Sequence, residues 1–234
     1  MGKWKQVQGY ASHIQSPLEN LRRNLGTSSF ILLLDATWVS VLGHDKAVLI
    51  AYDTNIGVVD YLIRNSESKG GYKTLLRRLE KIGYKPICVV SDGHMALEAV
   101  IKSRNLPHQR CVVHLLRDLE KLLGKKINQK LTGINKRIYL KFYDIWFTKK
   151  IEDIPAKLTQ LRFKKKKWLM KWFKKTLPDA ILHLSYEEKV PHTTNLLENI
   201  NCQIKQRIKT MRGMKSKTSL SNFLKILFYF RKYK

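Results

Sequence analysis

Acidic residues are scarce in this chain: 18 Asp and Glu stand against 45 Lys and Arg, a formal net charge of +27 over 234 residues. A protein so charged repels itself unless a polyanion is near, and nucleic acid is the natural partner. Cysteine is scarcer still. Cys88, Cys111 and Cys202 form no CxxC pair and leave an odd count, which argues against a disulfide framework or a zinc finger and suits a reducing compartment. No apolar run approaches the roughly 18 residues of a membrane span, and residues 1–16 lack the apolar centre of a signal peptide. A soluble, cytoplasmic, nucleoid-associated protein with no membrane partner is therefore expected. Apolar residues, in contrast, are plentiful at 44%, with five Trp among them. A ribosomal-type or membrane-surface protein can share the charge balance, but this composition points to a folded core under a basic surface, as one large domain or two small ones.

The stretch with most to say is residues 30–41, FILLLDATWVSV. Residues 30–34 read as a strand buried on both faces, and Asp35 follows directly. Either the strand runs on and half-buries a carboxylate, which requires a hydrogen bond, a counter-charge or a metal, or it ends at Leu34 and Asp35 lies in a solvated turn. Before it, Pro17, Leu18, Leu21 and Leu25 predict a short helix that starts at the proline and ends near Gly26. After it come a turn at residues 43–46, a strand over 47–52, a turn at 54–57 and a strand over 58–63, which together make an antiparallel meander. A helix over 72–82 stopped by Gly83, a strand over 86–90, a helix over 95–102, a strand over 109–113 and a helix over 115–123 follow. This order predicts an α/β fold, a mixed RNase H-like sheet flanked by helices. Strand signals then stop. Residues 125–184 read as a helical insertion with breaks at Pro155 and Pro178. Its densest part, RFKKKKWLMKWFKK from Arg162 to Lys175, offers either a solvated lysine face over a Trp168 and Trp172 core or a track for a phosphate backbone. The expected division is residues 1–29, a core over 30–124, a helical basic insertion over 125–190, and a returning core helix and tail over 191–234.

The last helix, residues 195–212, carries an apolar stripe of Leu197, Ile200, Ile204, Ile208 and Met211, with Glu198, Lys205 and Arg212 in a second row. Glu198 is either a carboxylate facing the sheet or simply a favourable helix start. Asp35 in the first strand, Asp92 at the tip of a later strand and Glu198 on a late helix form a set of three carboxylates that an RNase H-like sheet is able to gather. Such a set in a basic protein makes sense around divalent metal, because Mg2+ prefers oxygen ligands and a pair of ions serves phosphodiester displacement. Asp45, Asp53, Asp60, Asp118 and Asp153 read as solvated.

The blocks LLLDATWVSV with Asp35, VVSDGHMAL with Asp92, QRCVVHLLRDL with Cys111 and His114, and TTNLLENINCQIKQRIKTMRGMKS with Glu198, in that order, resemble Mutator-like and related prokaryotic insertion-sequence transposases of the DDE class. The resemblance implies an RNase H-like domain with a helical insertion between Asp92 and Glu198. It also implies catalysis by Asp35, Asp92 and Glu198 holding two Mg2+ ions, which Mn2+ can replace. Cleavage at transposon ends and transfer of the freed 3′-hydroxyl to target DNA follow, by a homodimer or higher oligomer. It places Cys111 and His114 near the active site; the bland reading is a buried Cys and a hydrogen-bonded His at a strand end. His94, next to Asp92 and Gly93, reads either as a support to the active site or merely as a neighbour of a helix cap. DNA would be held by Arg110, Lys164, Lys165, Lys166, Lys167, Lys205, Arg207, Lys209 and Arg212. The residues before Asp35 hold no clear helix-turn-helix, so end recognition has either been lost, as in a truncated copy, or lies in a separate stretch. The alternative function is a catalytically inactive, transposase-derived nucleic-acid-binding protein.

Overall fold

A computed structural model of the chain describes residues 9–23, 30–126, 129–161 and 167–231. Lys164, Lys165, Lys166 and the expected helix end near Gly26 lie outside them. In chain order the elements are α1 (Pro17–Arg23), β1 (Phe30–Val41), β2 (His44–Asp53), β3 (Gly57–Arg64), α2 (Lys69–Lys81), β4 (Pro86–Ser91), α3 (Met95–Lys102), β5 (His108–Arg110), α4 (Val112–Leu122), α5 (Gly133–Trp146), α6 (Ile154–Thr159), α7 (Lys167–Ile181), α8 (Asn195–Thr210) and α9 (Lys217–Arg231). The chain divides into two compact units: Met1–Val89, His94–Leu106 and Thr194–Lys234 make the first, and Val90–Gly93 with Pro107–Thr193 the second.

β1 and β2, and then β2 and β3, pair antiparallel, and the sheet order is β3-β2-β1-β4-β5. An antiparallel meander continued by helix-linked strands on the far side of β1 is the RNase H-like arrangement. The first hairpin closes on Leu42 and Gly43, both at positive φ (50° and 76°), the conformation of a two-residue turn that matches strand twist. The second closes on Asp53, whose Oδ1 accepts from the N–H groups of Asn55 (2.8 Å) and Ile56 (3.0 Å), a side chain standing in for a backbone turn. Its other oxygen accepts from the Tyr84 hydroxyl at 2.7 Å. Asp53 is thus buried rather than solvated, and so is Asp60, which pairs with Arg78 at 3.1 Å. Both carboxylates find partners that are distant in sequence, so their local context misleads. α1 starts at Pro17 as expected, with Ser16 and Glu19 bonded reciprocally as a capping box. The core of this unit joins Leu32, Leu34, Leu49, Val59, Leu75, Leu79, Val89 and Val100.

The second unit holds β5 and helices α4 to α7, and no strand follows β5 among its described residues. Leu115, Leu119, Phe142, Trp146, Leu169 and Phe173 form its core. α7 buries Leu169, Phe173, Thr176 and Ala180, and Pro178 is carried inside the helix instead of breaking it. Trp172 meets Trp146 edge-on at 5.9 Å, whereas Trp168 is 51% exposed, so only one of the two tryptophans serves the core.

Candidate functional site

β1 runs through Asp35 without a break, in register opposite Ile50; the solvated-turn alternative is set aside. Burial is continuous to Leu34, and from Thr37 onward buried and exposed residues alternate to Val41. Asp35 therefore stands where the strand changes from buried on both faces to buried on one, and by parity it shares the covered face with Thr37 and Val39. α8 packs on β1, with Leu197, Ile200, Asn201, Ile204 and Ile208 buried.

That packing sets Asp35 against α8, the helix that carries Glu198. Asp35 Oδ2 accepts from Asn201 Nδ2 at 2.7 Å, and Asp35 Oδ1 accepts from the Ala36 N–H at 2.8 Å. Glu198 precedes Asn201 by one helical turn and so lies on the same side of α8. Its Oε1 accepts from the Thr194 hydroxyl at 3.1 Å, and Thr194 is the residue that caps α8. The cap is Thr194 and not Asn195, so Glu198 falls beyond the capping-box position. Asp35 and Glu198 each offer carboxylate oxygens, the donor type that suits Mg2+ or Mn2+.

Asp92 belongs to the second unit, in the turn that ends β4. Ser91 anchors this turn three ways: its Oγ contacts His108 Nε2 at 2.8 Å and accepts from the Gly93 N–H at 3.2 Å, and its carbonyl accepts from the Cys111 N–H at 2.7 Å. Gly93 has φ +81°, and a Cβ there would overlap the guanidinium of Arg110. Arg110, expected on DNA, has a side chain only 13% exposed and also approaches Asp118 at 3.7 Å.

The Cys111 and His114 block is not at a strand end. β5 stops at Arg110 and Cys111 is the N-cap of α4, so the two residues lie one turn apart on a helix, with Sγ and a ring nitrogen within 4.8 Å. Arg117 Nη1 lies 3.2 Å from His114 Nε2; a guanidinium only donates, which makes Nε2 the acceptor. His94, in the first unit, caps α3 and approaches Glu67 at 3.3 Å.

Of the expected DNA-binding cations, Lys167, Lys205, Arg207, Lys209 and Arg212 are exposed. Arg212 lies beyond the end of α8 at φ +56°, so it does not continue the row of Glu198 and Lys205. Met211, expected in the apolar stripe, is 43% exposed as the residue that ends the helix.

Asn201 is the residue that sequence reasoning passed over. It sits four positions after Leu197 and three before Ile204, inside the buried stripe, where an amide is costly without partners. A polar residue interrupting an apolar stripe one turn from a candidate carboxylate was the available signal.

The sheet order and its flanking helices give the chain an RNase H-like α/β fold. The profile of the Mutator family of transposases matches residues 12–233, and the chain belongs to that family. It is 26% identical over 217 residues to the transposase for insertion sequence element IS256 in transposon Tn4001 of Staphylococcus aureus, covering 82% of this chain and 52% of that protein. It is 24% identical over 218 residues to the transposase for insertion sequence element IS1201 of Lactobacillus helveticus, covering 88% and 58%. The chain thus spans little more than half the length of these relatives. Among solved structures it is similar to the catalytic core domain of HTLV-2 integrase in complex with magnesium, at 20% identity and a TM-score of 0.29, over 41% of this chain and 69% of that one. Among the described residues, no helix is long and apolar enough to cross a membrane.

Proposed function

We propose that this chain is the catalytic domain of a DNA transposase. It breaks phosphodiester bonds at transposon ends and joins the freed 3′-hydroxyl to target DNA, with Asp35, Asp92 and Glu198 as its three catalytic carboxylates and a dimer or larger assembly on DNA as its working form. The observation that carries the reading is the hydrogen bond from Asn201 to Asp35 at 2.7 Å, which sets Asp35 beside the helix turn that bears Glu198. Membership of the Mutator family and the order of the three acids in the sequence support it.

Divalent cations held by these carboxylates, Mg2+ or Mn2+, would stabilise the attacking and leaving oxygens. The chain's own part is positional. Ala36 and Asn201 fix the two oxygens of Asp35, Thr194 orients Glu198, and Ser91 with His108 and Arg110 braces the turn that carries Asp92. Exposed cations such as Lys167, Lys171, Lys174 and Lys175 on α7 and Lys205, Arg207 and Lys209 on α8 supply phosphate contacts. A non-catalytic DNA-binding derivative, the second reading, gains nothing from keeping a half-buried Asp35 that needs a dedicated amide partner.

The test is nicking and strand joining of supercoiled plasmid and short duplexes with Mg2+, Mn2+ or EDTA. Metal-dependent nicking lost in Asp35→Asn and Glu198→Gln supports the reading. Nicking that persists in both variants refutes it.

A further inference from the structure

Asn201 is 8% exposed and on the sheet-facing side of α8. Its amide orientation follows from chemistry: an ionised carboxylate only accepts, so Nδ2 must face Asp35 and Oδ1 must point away. Asn201 Oδ1 is itself buried and has no hydrogen-bond partner among the described residues. A buried amide with one end bonded and the other end open is destabilising as a packing element, and Leu or Ala at this stripe position would avoid the cost. The side chain is therefore explained by what it does to Asp35.

We infer that Asn201 is a positioning residue for Asp35: its Nδ2 fixes the carboxylate plane for a divalent cation held at Asp35, and the unbonded Oδ1 is the cost of that clamp. The inference rests on the reading that Asp35 and Glu198 hold such a cation. With Oδ1 of Asp35 bonded to Ala36 and Oδ2 bonded to Asn201, rotation about the terminal torsion of Asp35 is blocked from both sides. Without the amide, that restraint on Oδ2 is lost, and the entropy it covered falls on cation binding instead. Residues that orient metal ligands in this way typically alter affinity by about 10- to 100-fold. Mg2+ keeps most of its waters and is less tolerant of misplacement than Mn2+, so loss of the clamp should weaken Mg2+ more than Mn2+.

The experiment is calorimetric titration of Mg2+ and of Mn2+ into the wild-type chain, Asp35→Asn, Asn201→Ala, Asn201→Ser and Asn201→Asp, with the metal-dependent rise in melting temperature measured in parallel. Asn201→Ala and Asn201→Ser should bind about 10-fold more weakly, with a larger loss for Mg2+ than for Mn2+. Asn201→Asp sets a second carboxylate against Asp35, so it should melt lower without metal and gain more from metal than the wild type does. A role in packing alone predicts altered melting with unchanged affinities and an unchanged Mg2+ to Mn2+ ratio, and that result overturns the inference. If the wild type itself shows no binding that Asp35→Asn removes, the cation site fails and the inference fails with it. Wild-type binding that Asp35→Asn abolishes but Asn201→Ala and Asn201→Ser leave intact overturns the inference alone.

Discussion

Arg110 closes over Gly93 so tightly that a methyl group on that glycine would come within 2.6 Å of the guanidinium carbon. The glycine also sits at φ +81°, where an L side chain costs about 1–2 kcal/mol on its own. Gly93→Ala should therefore destabilise the protein by about 2 kcal/mol or more, from backbone strain and displacement of Arg110 together. The two parts separate in a double-mutant cycle: in an Arg110→Ala background the alanine should cost at least about 0.5 kcal/mol less. Urea unfolding of the four proteins measures this, and additive costs would mean that Arg110 does not brace the turn.

Asp60 predicts an unusual pH dependence. Burial pushes its carboxyl up from 3.8 to about 6, against the opposing pull of Arg78 and the Tyr61 N–H. A folded-state pKa above the unfolded value means the folded chain holds the proton longer. The group's contribution is complete below about pH 4 and is lost as pH rises through about 6. The side chain is only 2% exposed, so the two-unit shift corresponds to about 3 kcal/mol. Asp60→Asn cannot ionise. Its unfolding free energy relative to wild type should rise by about 3 kcal/mol between about pH 4 and pH 7, and a flat difference across that range would contradict the burial argument.

The solvent face of α7 predicts salt dependence. Lys171, Lys174 and Lys175 are exposed opposite the buried Leu169 and Phe173. If they follow a phosphate backbone, replacing them by Gln should flatten log affinity for duplex DNA against log salt by roughly one unit for each phosphate no longer neutralised. Fluorescence anisotropy over a salt series decides it, and an unchanged slope returns these lysines to the role of a solvated helix face.

Much of this was legible in residue patterns, and the exceptions have physical causes. The meander, the helix over 95–102 and the sheet type followed from apolar periodicity. The fate of Asp35 did not, because a run of five apolar residues before it fits a strand ending there as well as one continuing. The first hairpin closes two residues from where turn chemistry pointed, since Leu42 is an unusual occupant of the left-handed region. Val112 and Val113 read as strand by propensity, yet α4 begins at Val112, and this moved Cys111 and His114 from a strand end to a helix start. Asp53 and Asp60 looked solvated because Tyr84 and Arg78, their partners, are far along the chain. Asn201 is different: its place in the apolar stripe was visible, and only its hydrogen bond to Asp35 gave that place meaning.

The most direct test of the central claim is single-turnover nicking of a supercoiled plasmid in Mg2+, wild type against Asp35→Asn, with circular dichroism showing both folded. The account predicts metal-dependent nicking in the wild type and a loss of at least about 100-fold in the variant, equivalent to roughly 2.7 kcal/mol of transition-state stabilisation. Equal nicking by the two proteins would show that Asp35 does not carry the chemistry.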